Sequence, residues 1–222
     1  MISKTKKIKF HSDKANIDIL PPVPSSRFVP SWYRKMKGVT DKVETVKKCV
    51  PVLDALTAGY MIPLAADVVW DAKTERFSSQ SRIEIVSGHI PSQTEDVSLP
   101  PEYATQPHKW NNSWYIKTPP GYSTLFIHPL NRLDLPFYSF TGIVDTDKHP
   151  LVINFPFVLR KDFSGTIPAG TPLIQAIPFK RDNWETVMDN SGRSYHYEYD
   201  YEVEQPPFAW YKRKWWTKKI YG

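Results

Sequence analysis

An all-β fold with little helix is what this sequence predicts, and three observations carry it. The first is proline, 21 residues against 9 glycines in a chain of 222. Proline removes a backbone donor and fixes φ, which suits sheet edges and turns and works against long helices. The second is the stretch from Trp114 to Arg181, a succession of short β-rich runs punctuated by turns: TPPGY at 118–122, FTGIVDTD at 140–147 and IPAGTPLIQAIPF at 167–179. The third is composition: 41% hydrophobic and 14% aromatic residues argue for a packed core rather than disorder. The length is enough for one large β domain, or one domain with an extension.

Taken in order, the chain opens with a lysine-rich arm, KTKKIKFHS, and the short apolar run Ile17 to Leu20. Pro21, Pro22, Pro24 and Pro30 then predict an extended linker. In VPSWYRKMKG, the spacing of Trp32, Tyr33 and Met36 suits a helical turn docked on the body. The interleaved Arg34, Lys35 and Lys37 keep base stacking and phosphate contact open as a second reading. Thr45 to Leu56 is the best helix candidate, with Pro51 expected to end or bend it. TAGYMIPLAADVVWD at 57–71 reads as a turn and two β segments, and Arg82 to Val86 as a half-buried strand. Ser87 to Lys109 is polar and without periodicity, an exposed loop long enough to serve as a lid or contact surface. Beyond Arg181, the tract Tyr195 to Glu204 alternates aromatic and acidic residues, as a strand with one face of each kind does. The expected organisation is a basic N-terminal extension at 1–50 with one or two short helices, a β body at 51–207 and a basic aromatic tail at 208–222.

The net charge of +6 is unevenly spread. Residues 1–50 hold twelve Lys/Arg against four Asp/Glu (+8), residues 51–207 twelve against nineteen (−7), and the last fifteen five against none (+5). A mildly acidic body therefore carries two basic ends, which suit nucleic acid, an acidic neighbouring subunit, or simply solvent. Cys49 is the single cysteine, so an intrachain disulfide and a cysteine-based metal cluster are excluded. The first residues lack the apolar core of a signal peptide and no apolar run approaches a membrane span, so a soluble, non-secreted protein is expected.

Candidate sites are few. Asp145 and Asp147 stand two apart, facing one side if extended. They read either as a carboxylate pair for base or metal work or as a polar turn capping a backbone amide. Arg132, with Asn131 and His128 upstream, is the best anion site, able to hold phosphate bidentately or to pair with Asp134 or Asp145. Gln175, alone in an apolar run, reads a base edge or satisfies a neighbouring strand. The remaining histidines show no HxH, HxD or HExxH spacing, so no resident metal is expected. Walker A, G-x-S-x-G and G-x-G-x-x-G motifs do not occur. In the tail, Trp210, Tyr211, Lys212, Arg213, Trp215 and Trp216 interleave aromatics with cations. They suit either wrapping around another subunit or binding single-stranded nucleic acid.

Four segments, in order, resemble the motifs of the dUTPase and dCTP-deaminase superfamily. Thr57 to Tyr60 followed by Pro63 to Val68 is similar to the opening AGYDL-type motif, and Pro119 to Tyr122 followed by Asn131-Arg132-Leu133 to the P-x-G-Y strand and phosphate motif. Gly142 to Asp145 resembles the G-x-I-D motif, and Gly170 to Gln175 the G-D-R-I-A-Q motif. The resemblance spans roughly residues 54–180 and implies a β-clip fold of short strands, a trimeric assembly, and nucleotide-facing roles for Tyr60, Arg132, Asp145 and Gln175. It also implies altered chemistry. Met61 stands where the first motif carries an acid, Asn131 and Leu133 flank Arg132 in place of the phosphate-binding serines, and Lys148-His149-Pro150 replaces the Tyr-x-Gly after the third motif. Losing a phosphate cradle removes the donors that hold a triphosphate in line, and losing the acid removes a metal-ordering group. The whole chain is also similar to an uncharacterised family carried by tailed phages, cyanophages among them, and by some bacteria. The cues are VPSWYRKMKG, CVPVLDALTAGY and GTPLIQAIPFKRDNW.

Three functional readings follow. The first is a phage-type, dUTPase-like protein without catalysis, working as a homo-oligomeric binding or structural module in the host cytoplasm or the virion. No cofactor is expected for it. The second is a nucleotide hydrolase or deaminase variant centred on Asp145, Asp147 and Arg132, for which Mg2+ enters. The third is a nucleic-acid-binding accessory protein using the two basic ends.

Overall fold

Short strands joined by tight turns make up most of the molecule. The computed structural model describes residues 5–12, 19–188 and 207–222. The first strands are β1 (Lys9–His11), β2 (Val23–Pro24), β3 (Val39–Thr40), β4 (Val43–Glu44), β5 (Tyr60–Pro63), β6 (Val68–Asp71), β7 (Arg76–Ser78) and β8 (Val86–Gly88). They are followed by β9 (His108–Trp110), β10 (Tyr115–Lys117), β11 (Tyr122–Ile127), β12 (Phe137–Ser139), β13 (Gly142–Val144), β14 (Phe155–Leu159), β15 (Gly165–Ile167) and β16 (Pro172–Lys180). Among the described residues the α-helices are α1 (Ser31–Lys35), α2 (Val50–Thr57) and α3 (Pro207–Lys214). The chain is all-β with minor α, as composition and turn chemistry predict.

Every strand pairing among the described residues is antiparallel. A five-stranded sheet runs β13-β11-β16-β5-β2 and a four-stranded sheet β12-β14-β9-β8. A three-stranded sheet runs β15-β6-β7, and β1-β10 and β3-β4 form two ribbons. β16, the central strand of the largest sheet, is buried continuously from Pro172 to Ala176, as a strand covered on both faces must be. One core joins the sheets. Trp110 of β9 stacks on Phe157 of β14 with ring centroids 3.8 Å apart, while Phe126 of β11 meets Phe155 of β14 at 5.4 Å across the two larger sheets. Ile62, Leu64, Val68, Ile167 and Ile174 close the same cluster.

Local signals fixed several elements. In the Pro119–Tyr122 turn the Tyr122 N–H donates to the Pro119 carbonyl at 3.2 Å, and Gly121 takes the φ of +84° that the third position of a type II turn requires. The β5 and β6 segments fall where expected. Pro51 does not end the helix around it. It stands in the first turn of α2, where a missing N–H leaves no bond unmade, and Val46–Lys48 before it forms a separate 3-10 turn capped by the Thr45 hydroxyl. In the expected strand Arg82 to Val86 only Val86 is in a ladder. The Ser81 hydroxyl takes the Ile83 N–H and the Asn111 side-chain amide takes the Glu84 carbonyl, so side chains occupy the groups a ladder needs. The N-terminal extension is likewise knit into the body. β1 pairs with β10 and β2 with β5, and Tyr33 of α1 is buried, so the expected linker at 21–30 becomes a strand and a 3-10 turn. The tract Tyr195 to Glu204 lies outside the described residues.

Candidate functional site

β11 sets the geometry of the candidate site. On one side β13 runs antiparallel to it with Thr124 opposite Val144, so Asp145 emerges across from Ser123. On the other, Tyr122 lies opposite Lys180 of β16, which brings Arg181 level with Gly121. Arg181 thus reaches both acids. Its Nη1 donates to Asp147 Oδ1 (2.9 Å), to Ser123 Oγ (2.9 Å) and to the Tyr122 carbonyl (3.1 Å), and its Nη2 to Asp147 Oδ2. Asp145 Oδ1 lies 3.2 Å from the same Nη1 and accepts the Ser123 hydroxyl at 2.7 Å. Gly121 N–H completes the cluster by donating to Asp147 Oδ2 at 2.8 Å. The Asp147 side chain is only 5% exposed. Its bonds to Arg181, helped by the Gly121 N–H, hold its carboxyl far below the usual carboxylate range against the opposing effect of desolvation.

Asp145 to Lys148 is a turn, with the Lys148 N–H donating to the Asp145 carbonyl at 2.9 Å, and Asp147 takes the Gly121 amide, as in the turn reading open from sequence. Both acids reach Arg181 while Thr146 between them points into the interior. There Thr146 Oγ1 meets Thr118 Oγ1 at 2.7 Å and Thr124 Oγ1 at 2.8 Å. Thr118 donates its hydroxyl proton to the Tyr122 carbonyl at 3.0 Å, so it accepts from Thr146, which in turn accepts from Thr124. The chain Thr124, Thr146, Thr118, Tyr122 has one direction and no unused proton. Thr146→Val removes its middle and is expected to lower stability by about 1–2 kcal/mol, read as a lower urea midpoint at unchanged slope.

An aspartate whose folded pKa lies below its ordinary 3.8 leaves the folded state binding fewer protons than the unfolded, so its contribution is complete above about pH 4 and is lost as pH falls. Asp147→Asn is expected to flatten the acid limb of a Tm-versus-pH curve below about pH 4 while lowering Tm at pH 7. Parallel wild-type and variant curves would disprove the assignment.

Arg132 does not join this cluster. His128 follows the far end of β11, five residues beyond Ser123, about 16 Å away along a strand. There Arg132 Nε and Nη2 hold both oxygens of Asp134 at 2.8 and 2.9 Å, the pairing with its near neighbour that the sequence left open. His128 Nδ1 accepts the Ser139 N–H at 3.3 Å, so its Nε2 carries the proton and donates to the Arg132 carbonyl at 3.2 Å. Burial pushes the His128 pKa down, which keeps that neutral tautomer. Asn131 takes a left-handed turn conformation, φ +58°. A centre combining Asp145, Asp147 and Arg132 is therefore not what the fold builds.

Gln175 takes the second of its two readings, satisfying backbone, though at a helix end and a loop rather than on a neighbouring strand. It is fully buried, its Oε1 accepts the Leu130 N–H at 3.0 Å, and its Nε2 donates to the carbonyls of Ala55 (2.9 Å) and Ala58 (2.6 Å). No face of the amide is left for a base. Tyr60 packs edge-on between Phe10 and Tyr221, and desolvation raises its phenol pKa. Ala65, Ala66 and Asp67, from the first motif, line a groove of about 760 Å³ with Ser79, Ser81 and Arg82. There Asp67 Oδ1 accepts the Ala169 N–H at 2.7 Å.

The tail folds onto its own chain. Trp216 Nε1 and Lys219 Nζ both donate to Asp54 Oδ2 of α2, at 2.9 and 2.6 Å. Lys212, Arg213 and Trp216 line a groove together with Lys47 and Lys48, Tyr211 is half-buried and Trp215 is exposed. The Trp210 side chain lies outside the described part of the structure.

Sequence reasoning missed Arg181, Ser123, the threonine chain and Asp54. Each acts across strands or helices distant in sequence, and no local spacing marks them. Among the described residues no group of three or more His, Cys, Asp or Glu is placed to hold a metal ion, and no helix is long and apolar enough to cross a membrane. No protein-family model matches the chain, and no curated protein matches it.

Proposed function

We propose that this protein works by binding rather than catalysis, as a homo-oligomeric binding or structural module of phage type on a dUTPase-like β scaffold. One observation carries the reading: the segment leaving β16 holds Trp184, Val187 and Met188 in solvent at 92%, 78% and 87% exposure. Large apolar side chains grouped this way mark a contact surface. The acid cluster fits the same reading. Arg181, held by Asp147, Asp145 and the Gly121 carbonyl, fixes the root of this arm to the body. The carboxylates that a nucleotide enzyme would use as base or metal ligand thereby serve as a clamp. Arg132, held by Asp134, serves its own turn. The charge division between a −7 body and basic ends suits association of copies. The resemblance to the dUTPase superfamily makes a trimer the expected state.

Light scattering of the purified chain should give a multiple of 25.7 kDa. Trp184→Ser with Met188→Ser should reduce it to the single-chain mass without loss of circular dichroism. A monomer at every concentration, stabilised by a deoxynucleotide in a manner lost in Asp145→Asn, would overturn the reading in favour of the enzyme.

A further inference from the structure

The two basic ends, remote in sequence, meet in space. Lys47 and Lys48 precede α2, Lys212 and Arg213 lie in α3, and the four line one groove of about 410 Å³ with Trp216 and Glu44. Lys47 Nζ donates to the Tyr33 and Arg34 carbonyls at 2.6 and 3.3 Å and sits 4.4 Å over the Tyr33 ring. All three partners are neutral. Among the described residues, Lys47, Lys48 and Lys212 have no carboxylate partner. Asp54 of α2 has its charge answered by Lys219 and fixes the Trp216 indole N–H. Among the described residues Glu44 is the one acid lining the groove, and its Oε2 is buried without a hydrogen-bond partner.

We propose that this groove binds single-stranded nucleic acid, with phosphates on Lys47, Lys48 and Lys212 and a base against Trp216. Cations on both walls track a phosphate backbone, and an indole fixed through its N–H offers a stacking platform indifferent to sequence. A groove of this volume admits nucleotide-sized segments, whereas a duplex presents its bases edge-on and leaves the indole unused. The proposal goes beyond oligomer formation, which is tested at the arm after β16.

The test is fluorescence anisotropy of labelled oligothymidine titrated with the full chain. Three phosphate contacts should make affinity fall about 20-fold between about 50 and 200 mM salt. Lys48→Glu and Lys212→Glu, both on exposed side chains, should each weaken binding and make the salt slope shallower by about 1. Glu44→Gln should tighten it. No saturable binding at about 50 mM salt, full binding by both reversal variants, or better competition by a duplex than by a single strand would each overturn the proposal. So would a fall in light-scattering mass in Lys48→Glu, which would make the groove an assembly contact instead.

Discussion

Replacing Gln175 by leucine is expected to lower stability by about 3 kcal/mol or more, a large share of what holds a domain folded. Leucine matches the amide in size and suits the apolar run around it, so the change isolates the hydrogen bonds. Three backbone groups lose their partner: the Leu130 N–H and the carbonyls of Ala55 and Ala58. The two carbonyls belong to the C-terminal end of α2, where the last turn of a helix has no acceptor use within itself. Gln175, projecting from the central strand of the large sheet, supplies that cap and ties α2 and the loop after β11 to one point. Urea denaturation should show a lower midpoint at unchanged slope. A residue reading a ligand would behave otherwise: Gln175→Leu would leave the midpoint in place and only weaken binding.

That contrast shows where sequence stops being informative. Strands and turns were legible because their signals are local: Pro-Gly pairs, apolar runs, and proline against long helices. The turn at Asp145 and Asp147 was legible because the preference of aspartate for turns is local. The partner of Asp147 was not. Arg181 reaches it only because β11 lies between β13 and β16, and sheet order is a non-local fact that no spacing encodes. Arg132 illustrates the converse. Its partner Asp134 is two residues away and was named among the candidates from sequence, but the distance from Asp145 could be known only once β11 was seen to run between them. Gln175 looked like a lone amide in an apolar run because the carbonyls it caps lie more than a hundred residues earlier. Pro51 and Arg82 to Val86 failed differently. Both are local, and in each the competing local rule, proline in a first helical turn and side-chain capture of backbone groups, was the stronger one.

The same junction contains the position where a single methyl group should do most damage. Gly59 has φ +64°, and a Cβ built there would lie 2.1 Å from the Ala176 carbonyl oxygen and 3.0 Å from its carbon. The obstacle is backbone of the central strand, so no side-chain rotation relieves it. Gly121, φ +84°, meets nothing within 4 Å, so alanine there bears only the left-handed penalty of about 1–2 kcal/mol. Gly59→Ala must add to that penalty the separation of β5 from β16, and it displaces the Gly59 carbonyl that accepts the Ser25 N–H at 3.0 Å. A loss above about 3 kcal/mol is expected, against about 1–2 for Gly121→Ala measured in the same denaturation series. Equal effects at the two glycines would mean that β5 does not approach β16 as described. Because Gly59 adjoins Ala58, whose carbonyl Gln175 holds, the two substitutions disturb one structure. Their combined effect should therefore fall short of the sum, as it does for residues sharing a partner. A fully additive double variant would separate the α2 cap from the β5–β16 contact and dissolve the junction as a unit.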